Sequence, residues 1–462
     1  MGAKDKDSYA MLRAAQSKGI DPSLEPVRAM LKELGDPDLD YSCVQVVGTN
    51  GKTSTARYTA AILAGEGMRV GLYLSPCLVC YEDQVEIDGH VIDKATLDEV
   101  VGAAYGAGVR VNERRAAAGL EPLPNTEFDL LTVAALYAFS LANVDVAILE
   151  AGMGAQWDAT SASRSIHTSC ITGIGLDHTQ ILGNTVEDIA RNKACTVVRG
   201  RKLVLGRGAT QDQKARDVIL ARCADQGVSP TAVLNEDDAT IDGVSSEARY
   251  RITHMPEGIG DPMELSVRTS MAEYSGIRAQ KPAYQAQNIA CAIALAQAVM
   301  GRAPDPNVLA TAVRDCRTPG RFELLRKDPP ILVDACHNPQ SVQAFLHAVS
   351  DAMPYKEQRP VLLCAIFADK DVDTMVSMLA KEFPRVVVTQ TDSPRAMGAQ
   401  ELSRRFEQEG VTPESVTHTV GEAIRLLANE SFVACGSITT AGEVARAIAN
   451  KYEAAVGRDA NV

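Results

Sequence analysis

No apolar run in the 462-residue chain approaches the roughly 20 residues of a membrane-spanning helix, and the opening MGAKDKDSYA holds no apolar signal segment. Positive charge is short as well: 46 Lys and Arg stand against 59 Asp and Glu, a formal net charge of −13. Nucleic acids and anionic membranes both call for a basic surface, so neither is expected as a partner. Aromatic residues reach only 5%, with a single tryptophan, yet 46% apolar content allows proper cores and the length allows two or three domains. The eleven cysteines are odd in number and follow no repeated spacing, which argues against a disulfide framework and for a reducing, cytoplasmic setting. Gly2 suggests a myristoylation signal, but the hydroxyl residue that signal requires is replaced by Lys6. No internal repeat, heptad seam or low-complexity tract is present.

What is present is alternation. Residues 43–76, CVQVVGTNGKTSTARYTAAILAGEGMRVGLYLSP, pass from an apolar run to helical spacing and back, which reads as strand, loop, helix, strand. The loop Gly48-Thr49-Asn50-Gly51-Lys52-Thr53-Ser54 has what a nucleotide phosphate needs: glycines for close backbone approach, a lysine, and hydroxyls able to reach magnesium. Its amides would cradle phosphate oxygens at a helix N-terminus. The general P-loop pattern has a glycine where Val46 stands, so this is a shorter variant.

Ahead of that unit, residues 22–35 place Leu24, Val27, Met30, Leu31 and Leu34 on one helical face, with Gly35 as a stop. A small hairpin is expected around Asp88-Gly89, helices over 94–118 and 127–142, and strands over 144–152, 169–175 and 202–206. A helix opens near Thr185, with Asp188 completing an approximate capping box, and closes around Lys193. Residues 228–282 suggest two or more edge strands, and a helix with Gln285 and Asn288 in its first turn runs to Met300. GRAPDPNVL is linker-like and leads into another helix. Strand and helix alternation restarts at Pro319, through ILVDACHNP, VLLCAIFADKD, RVVVTQT and SFVACGSI. The fold class expected is α/β: a P-loop ATPase-like parallel-sheet domain over 1–303, and a smaller Rossmann-like α/β domain over 304–462.

Three polar groups sit where a strand hands over to a loop: Glu150, Asp177-His178, and Asp334 with His337. Such positions line the crevice of open α/β sheets, although each alone could be a helix cap. Glu150 suits magnesium, which takes hard oxygen donors; His178 is less expected on softness grounds. Lys193 could be a cation complementing a helix C-terminus. His90, His167, His254, His347 and His418 have no ligand-spaced partners, and Cys77-x-x-Cys80 lacks a second pair for zinc.

GTNGKTST, LYLSP, ILEAGMGAQWDAT, GIGLDHTQILGNT with KA, Q-x-x-N at 285–288, PGRFE, DACHNP, ADKD and CGS follow in one order over roughly residues 22–445. That order resembles the folylpolyglutamate synthase and dihydrofolate synthase family of the Mur ligase superfamily, ATP-dependent amide-bond ligases. The resemblance implies ATP at the P-loop, closed over by the smaller C-terminal domain. It assigns Lys52 to the β and γ phosphates, Ser75, Glu150 and His178 to magnesium, and a carbamate to Lys193. Asn288, Arg321, Asp334 and His337 match nucleotide-contacting positions. The implied catalytic set is Lys52, His178, Lys193, Arg321 and His337, passing a phosphoryl group to a substrate carboxylate so that the amine of glutamate can displace phosphate. Folate or pteroate and glutamate would be the substrates, in folate biosynthesis and one-carbon metabolism, and a monomer is expected.

The departures fall on the substrate side. Cys77 stands where the family has a histidine, Cys80 and Gln84 stand where it has arginines, and Ala155 and Gln156-Trp157 before Asp158 are changed. Cys77, Gln84, Trp157 and Asp158 are therefore the candidate substrate residues. Trp157 is a stacking surface or else a ring packed under the loop. Two other readings stay open: a ligase joining another amino acid to a non-folate acid, and a non-catalytic ATP-binding module.

Overall fold

The computed structural model describes residues 7–16, 19 and 22–459, with side chains through 449. Gly2 and Lys6, and with them the myristoylation argument, lie outside the described residues. Two compact units are drawn from Met1–Arg251, Leu265–Ile277 and Ala286–Cys316, and from Ile252–Glu264, Arg278–Gln285 and Arg317–Val462.

The first unit is built on β1 (Ser42–Val47), β2 (Val70–Tyr73), β3 (Val85–Ile87), β4 (His90–Val91), β5 (Val146–Glu150), β6 (Ile166–Gly173), β7 (Lys202–Gly206) and β8 (Thr231–Asn235). With β9 (Ser246–His254), β10 (Met263–Arg268) and β11 (Glu273–Ala279) they form an eleven-stranded sheet in the order β11-β10-β9-β8-β7-β6-β1-β5-β2-β3-β4. The centre, from β8 to β2, is parallel, and β3 and β4 close one edge antiparallel. β1 lies between β5 and β6, with Val46 opposite Glu150 on one side and Cys170 on the other. The chain leaves β1 for β2 on one side and later returns through β6 on the other, a switch point of the kind where open sheets bind ligands. Strands buried on both faces read as near-continuous apolar runs, which is why β1, β5 and β7 stood out in sequence.

Several local expectations are met. The hairpin turns at Asp88 and Gly89, both at positive φ (52° and 78°), as a tight two-residue turn requires. Thr185 caps the helix Val186–Lys193, its hydroxyl accepting from the Asp188 amide at 3.1 Å and donating to the Asp188 carboxylate at 2.7 Å.

The unit boundary falls at Cys316 and Arg317 rather than at 303 and 304. The linker-like stretch holds the start of a helix, Pro306–Asp315, whose cap Asp305 accepts from the amides of Asn307 and Val308 at 2.8 and 3.1 Å. That helix packs on Lys52–Gly65 and so belongs to the first unit. Proline at a helix start is favoured, so composition alone misleads here.

The second unit has β12 (Glu323–Lys327), β13 (Pro330–Val333), β14 (Val361–Cys364), β15 (Val386–Val388), β16 (Ser415–Val416) and β17 (Phe432–Cys435), ordered β12-β13-β17-β14-β15-β16. All neighbours pair parallel except β12, which is antiparallel to β13. Its core gathers Phe345, Phe383, Phe406, Val386 and Val388.

Candidate active site

The loop between β1 and the helix Lys52–Gly65 is shaped by two contacts that exclude side chains. A Cβ on Gly48 would fall 2.0 Å from Thr172 Oγ1, and one on Gly51, at φ +86°, would fall 2.5 Å from Asn288 Oδ1. Both sites demand glycine, for space and for backbone together, since Gly48 too has a positive φ, +153°. The loop is tied to the end of β6: the Thr49 amide donates to Gly173 O at 2.8 Å, and Thr172 Oγ1 donates to Asn50 O at 2.6 Å. Thr49 Oγ1 meets the Gly175 carbonyl at 3.0 Å. A helix starting at Lys52 leaves amides of its first turn to face a ligand. Ser54 is buried and Asn288 braces the turn.

Two lysines converge on one carbonyl. Lys52 Nζ donates to Gly48 O and Thr49 O at 3.2 and 3.3 Å, and Lys193 Nζ donates to Gly48 O at 2.8 Å. Lys193 is 3% exposed. Burial, then the neighbouring Lys52 charge, pulls its amine down to about 7, with Asp177 and Asp158 opposing. A substantial part of this amine is therefore neutral at physiological pH. Of the two sequence readings of Lys193, the helix-end cation does not suit a side chain this buried, because the last turn of its helix points inward.

Glu150, the last residue of β5, is 2% exposed. Its Oε1 accepts from Thr53 Oγ1 at 2.9 Å, and its Oε2 lies 3.5 Å from the Ser75 amide. One carboxylate, the Thr53 hydroxyl and Ser75 thus meet beside Lys52. No group of three or more His, Cys, Asp or Glu suited to a metal occurs among the described residues. A single buried carboxylate with hydroxyls fits magnesium, which keeps waters and shares phosphate oxygens rather than taking an all-protein cage. His178 sits past β6 in left-handed conformation, φ 50°, with its Nε2 4.0 Å from Asp177 Oδ2 and its side chain 40% exposed.

The substrate candidates divide. Asp158 is a loop pin rather than a group turned to substrate. Its Oδ2 accepts from the Met153 amide at 2.9 Å, and its Oδ1 from the Thr160 amide and hydroxyl at 3.0 and 2.5 Å. Trp157 is 43% exposed, so it does not pack under the loop. Gln84 is buried and hydrogen-bonds the Cys77 thiol, which burial, Asp83 and Glu127 push up to about 11.

In the second unit Asp334 is 4% exposed, and both its oxygens are taken: Oδ2 by Tyr284 OH at 2.9 Å and the Phe322 amide at 2.8 Å, Oδ1 by the Cys336 amide at 2.8 Å. It organises the PGRFE turn, where Phe322 is held at φ 44°. These three bonds give Asp334 a structural role that the sequence reading did not include. Arg321 receives Lys281 Nζ on its carbonyl at 2.9 Å, and His337 Nδ1 faces Ala335 O at 2.9 Å.

Sequence reasoning missed Thr172 as a wall of the phosphate loop, and Tyr9, Tyr81 and Glu127 beside Cys77. A polar residue at the end of a buried strand was the available signal for Thr172. Helix Ser8–Gln16 carried none.

The Mur ligase middle domain matches residues 46–197, and the Mur ligase glutamate ligase domain matches residues 320–438. The dihydrofolate synthase/folylpolyglutamate synthase of Mycobacterium tuberculosis is 30% identical, covering 92% of this chain and 89% of that protein. The chain belongs to the folylpolyglutamate synthase/dihydrofolate synthase family. Within that family, the probable bifunctional folylpolyglutamate synthase/dihydropteroate synthase of Haloferax volcanii is 36% identical over 84% of this chain, and that of Halobacterium salinarum 32% identical over 88%. The chain spans only 43% and 46% of the length of those two relatives. The fold agrees: the Mycobacterium tuberculosis folylpolyglutamate synthase complexed with ADP superposes with a TM-score of 0.83 at 27% identity, over 95% of this chain and 97% of that one. No helix among the described residues is long and apolar enough to cross a membrane.

Proposed function

We propose that the chain is an ATP- and magnesium-dependent ligase that joins L-glutamate to the carboxylate of a folate or pteroate acid. The observation that carries this reading is the convergence of Lys52, Thr53, Glu150 and buried Lys193 on one glycine loop at the switch point of the sheet. A phosphate-binding module without catalysis needs the loop but gains nothing from burying a second amine beside it, at a substantial desolvation cost.

In this reading Lys52 meets the transferring phosphoryl group, and the amides of the first helical turn hold the remaining phosphate oxygens. Glu150, with Thr53 and Ser75, would hold magnesium, which when bound neutralises charge on the phosphates. In this reading Lys193 reacts in its neutral form: its nitrogen attacks carbon dioxide, loses a proton and becomes a carbamate, so that a buried amine next to Gly48 O becomes an anion. The carboxylate of the acceptor acid takes the phosphoryl group, and the glutamate amine then forms the amide as phosphate leaves. We further take the enzyme to be a cytoplasmic monomer acting on small molecules, which sedimentation at several concentrations tests.

The test is phosphate release with ATP and magnesium across a panel of acids that includes dihydropteroate and tetrahydrofolate, each with and without glutamate. Release that needs both an acid of this class and glutamate is expected. Stimulation by a different acid or amino acid would replace the substrate assignment, and tight ATP binding without release would return the binding-module reading.

A further inference from the structure

Strand β2 delivers Ser75 to Glu150 and then continues into the loop Cys77–Gln84, the loop along which the ligase reading lays the acceptor acid. The start of the helix Glu127–Leu141 belongs to the same wall. A Cβ on Gly152, two residues past Glu150, would fall 2.8 Å from Phe128 Cζ, so Glu127 and Phe128 stand against the loop that follows β5.

Three carboxylates gather here. Asp83 and Glu127 both act on the Cys77 thiol. Glu82, next to Asp83, accepts from Tyr9 OH at 2.7 Å. Glu127 accepts from Tyr81 OH and, at 2.7 Å, from Gln16 Nε2. Asp83 accepts the amides of Val79 and Cys80 at 2.8 and 3.0 Å. The rings of Tyr9 and Tyr81 meet edge to face with centroids 4.9 Å apart. All of these named partners are neutral hydrogen-bond donors, so none of them cancels the negative charge of the wall.

The cations nearby are committed or peripheral. Arg57 pairs with Glu86 at 2.7 Å and Lys94 with Asp98 at 2.5 Å. Arg13 is exposed, its guanidinium carbon 6.0 Å from the centre of the Tyr9 ring.

We infer that this tyrosine-braced acidic wall, formed by Glu82, Asp83 and Glu127, selects against acceptors that already carry glutamate, so that the enzyme adds the first glutamate to a pteroate-type acid and disfavours lengthening a glutamate chain. The inference rests on the ligase reading above and names its substrate class. A pteroate-type acid brings one carboxylate, the one that reacts. Each glutamate already attached adds one net negative charge, which must lie near three like charges in a partly buried setting. Repulsion of that kind is weakened by salt, because screening acts over about 10 Å at 0.1 M.

The experiment is steady-state phosphate release with ATP, magnesium and glutamate, using dihydropteroate, a monoglutamyl folate and a diglutamyl folate as acceptors, at about 0.02 M and about 0.5 M salt. For the unaltered protein, kcat/KM is expected to fall about tenfold with each added glutamate at low salt, and the gap to narrow at least about threefold at high salt. Glu82→Gln and Glu127→Gln each keep an oxygen for the tyrosine and remove only the charge. Each is expected to lower KM for the glutamylated acceptors about threefold and to leave that for dihydropteroate within about twofold. Equal use of all three acceptors at low salt, or a preference that salt and both variants leave unchanged, would overturn the inference. No stimulation by any of the three overturns the ligase reading itself, a result distinct from equal use.

Discussion

The loops that follow β1 and β2 leave the same edge of one sheet, yet they handle charge in opposite ways. After β1, two lysines are drawn to a single backbone carbonyl and burial pulls the amine of one down to about 7. After β2, three carboxylates are held by tyrosines, a glutamine and backbone amides. Phosphate chemistry needs fixed positive charge where negative charge develops, and that need constrains the first loop to one arrangement. In the proposed ligase the second loop only has to admit an acid, so its charge is available for discrimination. The same architecture thus separates a region where substitutions should stop the reaction from one where they should redirect it.

The sharpest way to break that contrast is Lys52→Ala. It should lower kcat by at least about a hundredfold while leaving the thermal midpoint nearly unchanged, since a loop lysine adds little to stability. Activity near that of the unaltered protein would remove the phosphate loop from the chemistry. Glu150→Gln should come next, weakening the apparent affinity for magnesium about tenfold or more in a metal titration of phosphate release, because a neutral amide oxygen replaces a carboxylate.

Lys193 offers a pH signature. Its amine titrates near 7 in the folded chain, against an ordinary value near 10.5 when unfolded. Between those values the unfolded state holds a proton that the folded state lacks, so stability should rise with pH by up to about 1.4 kcal/mol per unit, and level off below 7. Urea denaturation at several pH values in carbon dioxide-free buffer should show this slope, and Lys193→Met should lose it. The smallest effect belongs to the exposed Trp157: Trp157→Ala should change stability by less than about 0.5 kcal/mol. If it also leaves the acceptor KM untouched, the ring has no part in the substrate wall.

Legibility in the sequence followed the physics of burial. The parallel centre of the sheet and the glycine loop could be read because buried strands are apolar throughout and the loop chemistry is local. Glu150 could be read because a carboxylate that ends an apolar strand is costly to bury unless a cation or hydrogen-bond donors meet it there. Lys193 was picked out by the resemblance but its burial was not, since which face of a short helix turns inward depends on contacts far away in sequence. Asp334 and Asp158 looked like site residues for the same reason that they are useful structurally: a buried carboxylate can gather several amide donors. The acidic wall was invisible because Tyr9, Tyr81 and Glu127 come from three separated segments. The helix after the linker-like stretch was expected, but its start was set too late because Pro306 in fact begins it.

The central claim is a phosphoryl transfer to the acceptor carboxylate at the Lys52 loop. It is tested most directly by labelling both oxygens of the dihydropteroate carboxylate with the heavy isotope and following the label through turnover with ATP, magnesium and glutamate. The expected result is one labelled oxygen in each inorganic phosphate released, with the other retained in the new amide. Amide formation with unlabelled phosphate would contradict the account.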